Sequence, residues 1–176
     1  MKALTAPSYG PVDQLAVTDV PDLTPGPGQL LLRVQAAALN PVDIRVITGE
    51  FADMFPVTHP FVVGMDAAGA VAAVGEGVSR YAVGDKVLAY THSNPGTIAE
   101  YTLVAEGPQV AHRPPGLDAV RGAALPAVAM TAEARRAIAM RRDLVRTVAR
   151  RTASVLGDLM EARQAGRVVT RLARRG

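Results

Sequence analysis

The chain has 176 residues, 49% hydrophobic and 20% charged, with three Phe, four Tyr, no Trp and no cysteine. Such a composition excludes a disordered chain and suits an aliphatic core built from Val, Leu, Ile and Ala. The lack of cysteine excludes disulfides, thiol nucleophiles, iron–sulfur clusters and thiolate zinc sites, and agrees with a reducing cytoplasmic location.

No apolar run approaches the roughly 20 residues that span a bilayer, and the turn residues Pro7, Ser8, Gly10 and Pro11 leave no signal-peptide core. The net charge of +3 conceals an asymmetry. Residues 1–132 carry 7 basic and 12 acidic side chains (net −5), whereas residues 133–176 carry 12 arginines and 4 acids (net +8). All 13 prolines lie at or before Pro126. Two kinds of chain meet near residue 130.

The first part reads as short strands between Gly/Pro turns. Strands are expected at Lys2–Thr5, at Leu15–Val20, and at Leu30–Val34 after the turn Pro25-Gly26-Pro27-Gly28. Pro41 opens a short helix that runs to about Thr48 and stops at Gly49. Phe61–Val74, rich in Val, Ala and Gly, has the look of a strand buried on both faces, with Gly64 and Gly69 marking bulges or close backbone approach. Lys86–Tyr90 and Thr97–Val104 are further strands, and Leu117–Leu125 and Ala127–Ala132 read as helical. From Glu133 the pattern is one long basic helix, whose seam Val145, Val148, Thr152, Val155, Leu159, Ala162, Gly166 and Val169 alternates spacings of three and four. A stripe of that kind gains little until it is covered, by the β-rich part or by a second copy in a homodimer.

The common catalytic signatures are absent: no G-x-S-x-G, no H-E-x-x-H and no P-loop. Gly75-Glu76-Gly77 begins a dinucleotide fingerprint but meets Arg80 where the third glycine belongs, and Gly64 to Gly69 has phosphate-loop spacing without the Lys or hydroxyl. His59, His92 and His112 are scattered polar residues beside turns rather than a metal site. Asn40-Pro41-Val42-Asp43 places a polar pair where a strand meets a helix, either as a cleft-facing pair or as the cap of the helix.

Gly64-Met65-Asp66-Ala67-Ala68-Gly69-Ala70-Val71 through Gly75-Glu76-Gly77-Val78, followed by Gly84-Asp85-Lys86-Val87, resembles the signature of the medium-chain dehydrogenase/reductase superfamily. Met1-Lys2-Ala3, the Pro25–Gly28 turn and Leu125-Pro126-Ala127-Val128-Ala129-Met130-Thr131-Ala132 extend the likeness over residues 1–132. Zinc-dependent members carry Cys where Asn40 stands and Gly-His-Glu where Gly64-Met65-Asp66 stands, so the chain looks like the zinc-free quinone oxidoreductases of the zeta-crystallin type. The resemblance implies a GroES-like β-rich, partly open barrel at 1–125, and with the helical, Arg-rich segment that the residues themselves suggest at 126–176 the chain is expected to be α+β. It implies NADPH as hydride donor, a quinone or activated alkene as acceptor, and no metal. Asn40 and Asp43 become the catalytic candidates, and Asn40 and Thr131 the cofactor contacts.

Two departures stand out. The position five residues after Asn40, often tyrosine in the family, is Arg45. After Ala132 the family continues into a Rossmann domain, and here 44 residues of arginine-rich sequence follow instead. A chain so composed is expected to be weakly active or inactive alone. The alternatives are a non-enzymatic module that uses the basic helix for self-association or an acidic partner, and a truncation or frameshift product. Nucleic acid is not the expected partner, because no stacking aromatic accompanies the arginines.

Overall fold

The computed structural model describes residues 1–91 and 96–136. Eight strands form two open antiparallel sheets. The smaller has the order β2-β1-β4, with β1 at Lys2–Ala6, β2 at Ala16–Asp19 and β4 at Phe61–Val62. The larger has the order β7-β3-β5-β6-β8, with β3 at Gln29–Ala38, β5 at Asp66–Val74, β6 at Lys86–Tyr90, β7 at Tyr101–Ala105 and β8 at Val110–His112. Among the described residues there are also a 3-10 turn at Val12–Gln14 and two helices, α1 (Pro41–Ile47) and α2 (Ala119–Ala123), and residues 126–136 are helical. The α+β class and the open β architecture are as expected.

Alternation decides which side chains make the core. On β3, Leu30 and Leu32 are fully buried and pack with Val71, Val87 and Val104 of the neighbouring strands. A second cluster joins Val46 and Ile47 of α1 to Ala6, Phe61, Val63 and Met65. Helix α1 therefore docks through its last turn onto the strand junction that precedes β5. Its N-terminus is left beside the start of that strand.

The expected strand Phe61–Val74 is two strands. Gly64, at φ +95°, breaks it, because the chain turns there between β4 and β5. Its second half is buried on both faces as expected, with Asp66, Ala67, Ala68 and Gly69 all buried. Gly69 lets β3 approach closely, since a Cβ there would overlap the Arg33 carbonyl. Strand β8, missed in the sequence, pairs with β6 through Val87↔His112, Leu88↔Ala111 and Ala89↔Val110.

The chain divides into two compact units, Met1–Met130 and Thr131–Gly176. In the first, Leu125, Val128 and Met130 are exposed. In the second, Glu133 and Arg136 form an exposed ion pair at 4.0 Å. The seam from Val145 to Val169, and the long basic helix that would carry it, lie outside the described residues.

Candidate functional site

Pro41 at the first helical position removes a backbone donor that would have no partner there and presets φ for α1. Asn40 and Asp43 then occupy the N-cap and third helical positions, those of a capping box. The Asp43 carboxylate accepts from the Asn40 backbone N–H at 2.6 Å, so the capping role foreseen for this pair is realised. The Asn40 side chain goes further. Its Nδ2 donates to Asp66 Oδ2 at 2.9 Å, and the other oxygen of Asp66 accepts from the Ala127 N–H at 2.9 Å.

The site is thus three polar side chains from two elements. Asp43 is 2% exposed and Asp66 is 0% exposed, while Asn40 is half-buried. Oδ1 of Asp43 is buried without a hydrogen-bond partner. Met65 is buried next to the cluster, and the Tyr90 hydroxyl donates to its sulfur at 3.7 Å. Asp66 was missed as a site residue. Its signal was there to read: a lone carboxylate inside an apolar run that reads as buried on both faces.

Burial raises both carboxyl pKa values. For Asp43 the charge of Asp66 adds to the rise, opposed by hydrogen bonds from Asn40. For Asp66 the hydrogen bonds from Asn40 and Ala127 oppose it. Tyr90 is likewise raised, by burial first and then by the charges of Asp66 and Asp43. A carboxyl whose folded pKa exceeds its unfolded value binds protons more tightly in the native state. Its contribution to stability is therefore full below the unfolded value and lost as pH rises through the folded one. We expect Asp43→Asn to flatten the fall in stability that sets in as pH rises above the ordinary carboxylate value, read from urea denaturation across a pH series.

The glycine motifs do not make a phosphate cradle. Gly75 packs against backbone, its N–H on the Gln29 carbonyl at 2.8 Å, while the Glu76 carbonyl accepts from Gly28 at 2.7 Å. Gly64 faces Thr97 and Ile98, which a Cβ would meet at 2.6 and 2.7 Å. Neither glycine segment is therefore open to receive a pyrophosphate. Arg45 lies with its guanidinium 5.1 Å from the centre of the Phe51 ring and 3.7 Å from Glu50. Thr131 is an exposed helical residue at the start of the second unit. His59 is packed between the rings of Tyr9 and Phe61, His112 lies against Tyr81, and His92 is outside the described residues.

Residues 26–133 match the model of the alcohol dehydrogenase GroES-like domain. The chain belongs to that family. Among curated relatives in the medium-chain dehydrogenase/reductase superfamily, it is 40% identical over 134 residues to a chloroplastic quinone-oxidoreductase homolog of Spinacia oleracea, covering 75% of this chain and 40% of that one. It is 38% identical over 144 residues to a chloroplastic NADPH-dependent alkenal/one oxidoreductase of Arabidopsis thaliana, covering 76% and 36%. Among solved structures, the quinone oxidoreductase from Coxiella burnetii superposes with a TM-score of 0.66 at 29% identity, covering 72% of this chain and 41% of that one. The chain spans about two fifths of the length of these relatives. Its relatives thus include proteins named as a quinone-oxidoreductase homolog and an alkenal/one oxidoreductase. No helix among the described residues is long and apolar enough to cross a membrane.

Proposed function

We propose that this chain is the substrate-side part of a zinc-independent oxidoreductase that reduces a quinone or an activated alkene with hydride from NADPH. The observation that carries the reading is the Asn40 carboxamide, tied to a buried carboxylate at the mouth of α1, where zinc-dependent relatives would need a thiolate. In this reading Asn40 contacts the substrate and the nicotinamide, Asp43 works beside it by holding the first turn of α1, and Thr131 meets the cofactor. With no Lewis acid, catalysis rests on orientation and hydrogen bonding, which can supply a large share of a barrier on their own. The nicotinamide brings the redox chemistry.

Two outcomes follow. Elemental analysis of the purified chain is expected to find no stoichiometric zinc, because Asn40 and Met65 stand at the two ligand positions and an amide and a thioether are poor zinc donors. One zinc per chain would contradict it. Calorimetry is expected to show no saturable NADPH binding up to about 1 mM, an affinity worth only about 4 kcal/mol, and quinone reduction by the chain alone should be negligible. Micromolar NADPH affinity would mean that a pyrophosphate site is built from residues other than those described. The reading itself is tested by titrating a short-chain quinone into the labelled chain: saturable shifts of the Asn40 and Asp43 amides support it, and shifts confined elsewhere refute it.

A further inference from the structure

We infer that Asp66 is the positioning residue of this site: its carboxylate, held between the Asn40 carboxamide and the Ala127 amide, fixes which edge of Asn40 a bound substrate meets. The functional meaning rests on the oxidoreductase reading, but the geometry does not.

A carboxamide has one end that accepts hydrogen bonds and one that donates, and the two ends are nearly identical in shape. Its neighbours decide which end points where. An ionised carboxylate only accepts, so Asp66 Oδ2, 2.9 Å from Asn40 Nδ2, compels the nitrogen to face it and holds the carbonyl oxygen on the opposite side. The second oxygen, Oδ1, is occupied by the Ala127 N–H at 2.9 Å. Asp66 therefore cannot rotate to release Asn40 without also abandoning Ala127. One side chain braces the start of β5, the cap of α1 and the first turn of the helical residues that begin at 126.

The choice of residue is telling. Asp66 is 0% exposed and has no ion pair among the described residues, so its charge is buried against hydrogen bonds alone. Burying a carboxylate without a cation is unfavourable, and an amide of the same shape would fill the space at lower cost. An asparagine at 66 could donate as well as accept, however, and would leave Asn40 free to turn over. Only the carboxylate sets the orientation, and its hydrogen bonds are the stronger charge-assisted kind. Asp43 acts chiefly elsewhere: its carboxylate accepts from the Asn40 backbone N–H at 2.6 Å and so holds the helix start, with a lesser hydrogen bond from the Asn40 side chain.

The test uses the whole chain labelled with 15N and 13C, with the Asn40 side-chain NH2 pair identified by its loss in Asn40→Ala. In Asp66→Asn the two Asn40 amide protons are expected to collapse toward free-amide positions, and the Ala127 amide to move with them. Affinity for a short-chain benzoquinone should fall about tenfold, the loss of one well-placed hydrogen bond. In Asp43→Asn the Asn40 pair is expected to shift much less than in Asp66→Asn. The wild type gives a second readout that survives if Asp66→Asn fails to fold. The titratable groups around Asp66 are Asp43 on α1 and Tyr90 on β6, and its neighbours Ala38 on β3 and Ala127 carry no charge. The Asn40 side-chain resonance should therefore titrate chiefly with the Asp66 carboxyl carbon, and less with that of Asp43 or with the Tyr90 ring. An Asn40 pair indifferent to Asp66→Asn, or one that follows Asp43 more closely than Asp66, overturns the assignment, as does an Asp66→Asn variant with unchanged quinone affinity. If the resonances behave as stated but no protein binds quinone, the orientation by Asp66 is upheld and the oxidoreductase reading is the one that falls.

Discussion

Replacing Gly75 by alanine is expected to destabilise the first unit by about 3–5 kcal/mol, combining overpacking that has no side chain to yield with the loss of turn hydrogen bonds. The added methyl would overlap the Gly26 carbonyl oxygen and lie 2.7 Å from its carbon and 3.3 Å from the Gln29 carbonyl oxygen. These are backbone atoms, fixed by the Gln29 N–H on the Gly26 carbonyl at 3.0 Å and the Gly75 N–H on the Gln29 carbonyl at 2.8 Å. Relief requires moving the whole Gly26–Gln29 turn off the end of β5. The variant also separates two meanings of the same motif. A phosphate-binding glycine, once substituted, lowers ligand affinity and spares the fold, whereas Gly75→Ala should lower the urea midpoint with no ligand present. An unchanged midpoint would show that the turn can open.

Gly64→Ala is the second large effect, with an expected loss of about 2–4 kcal/mol from left-handed backbone strain and steric overlap together. Gly64 has φ +95°, and its Cβ would sit 2.6 Å from Thr97 Oγ1 and 2.7 Å from Ile98 Cγ1. Thr97 is completely buried, so it has nowhere to retreat. The damage would fall where Met65 and Asp66 enter β5. A loss of stability should therefore be accompanied by movement of the Asn40 side-chain resonances, and thermal melts with the same labelled sample read both. A stable variant with an undisturbed Asn40 would show that the β4–β5 turn does not govern the site.

Local rules made much of this fold readable, and the exceptions share a cause. Lys86–Tyr90 was found to the residue, and Lys2–Ala6 within one, because alternating apolar residues between Gly/Pro turns leave few other structures. Pro41 and Gly49 bracketed α1 for the same reason: one presets helical φ and the other, at φ +83°, ends it. The break at Gly64 was not foreseen, since a glycine in an apolar run signals close approach as readily as a turn. Thr97–Val104 was drawn too early because residues 98–100 meet β1, with the Leu4 N–H on the Ile98 carbonyl at 2.9 Å, before β7 begins at Tyr101. Strand β8 is only three residues long and exists through its partner β6. Such tertiary pairing leaves little trace in a local pattern.

The site divides along the same line. Asn40 and Asp43 stand three residues apart on a helix start, a local arrangement that a sequence displays. Asp66 joins them from 26 residues away, and Ala127 from a further 61, so the network that orients Asn40 exists only once β5 is in place. The missing zinc donors could be read from residue types alone. The failure of the glycine motifs to form a phosphate cradle needed the packing around Gly75 and Gly64.

The most direct test of the account compares the dissociation constant of a short-chain quinone for the whole chain and for Asn40→Ala, side by side. The chain has no cysteine, so thiol arylation cannot imitate binding. The account predicts saturable binding to the unaltered chain and an affinity about tenfold weaker for Asn40→Ala, with the fold unchanged by circular dichroism. Equal affinity in the two proteins, or no saturable binding to either, would contradict it.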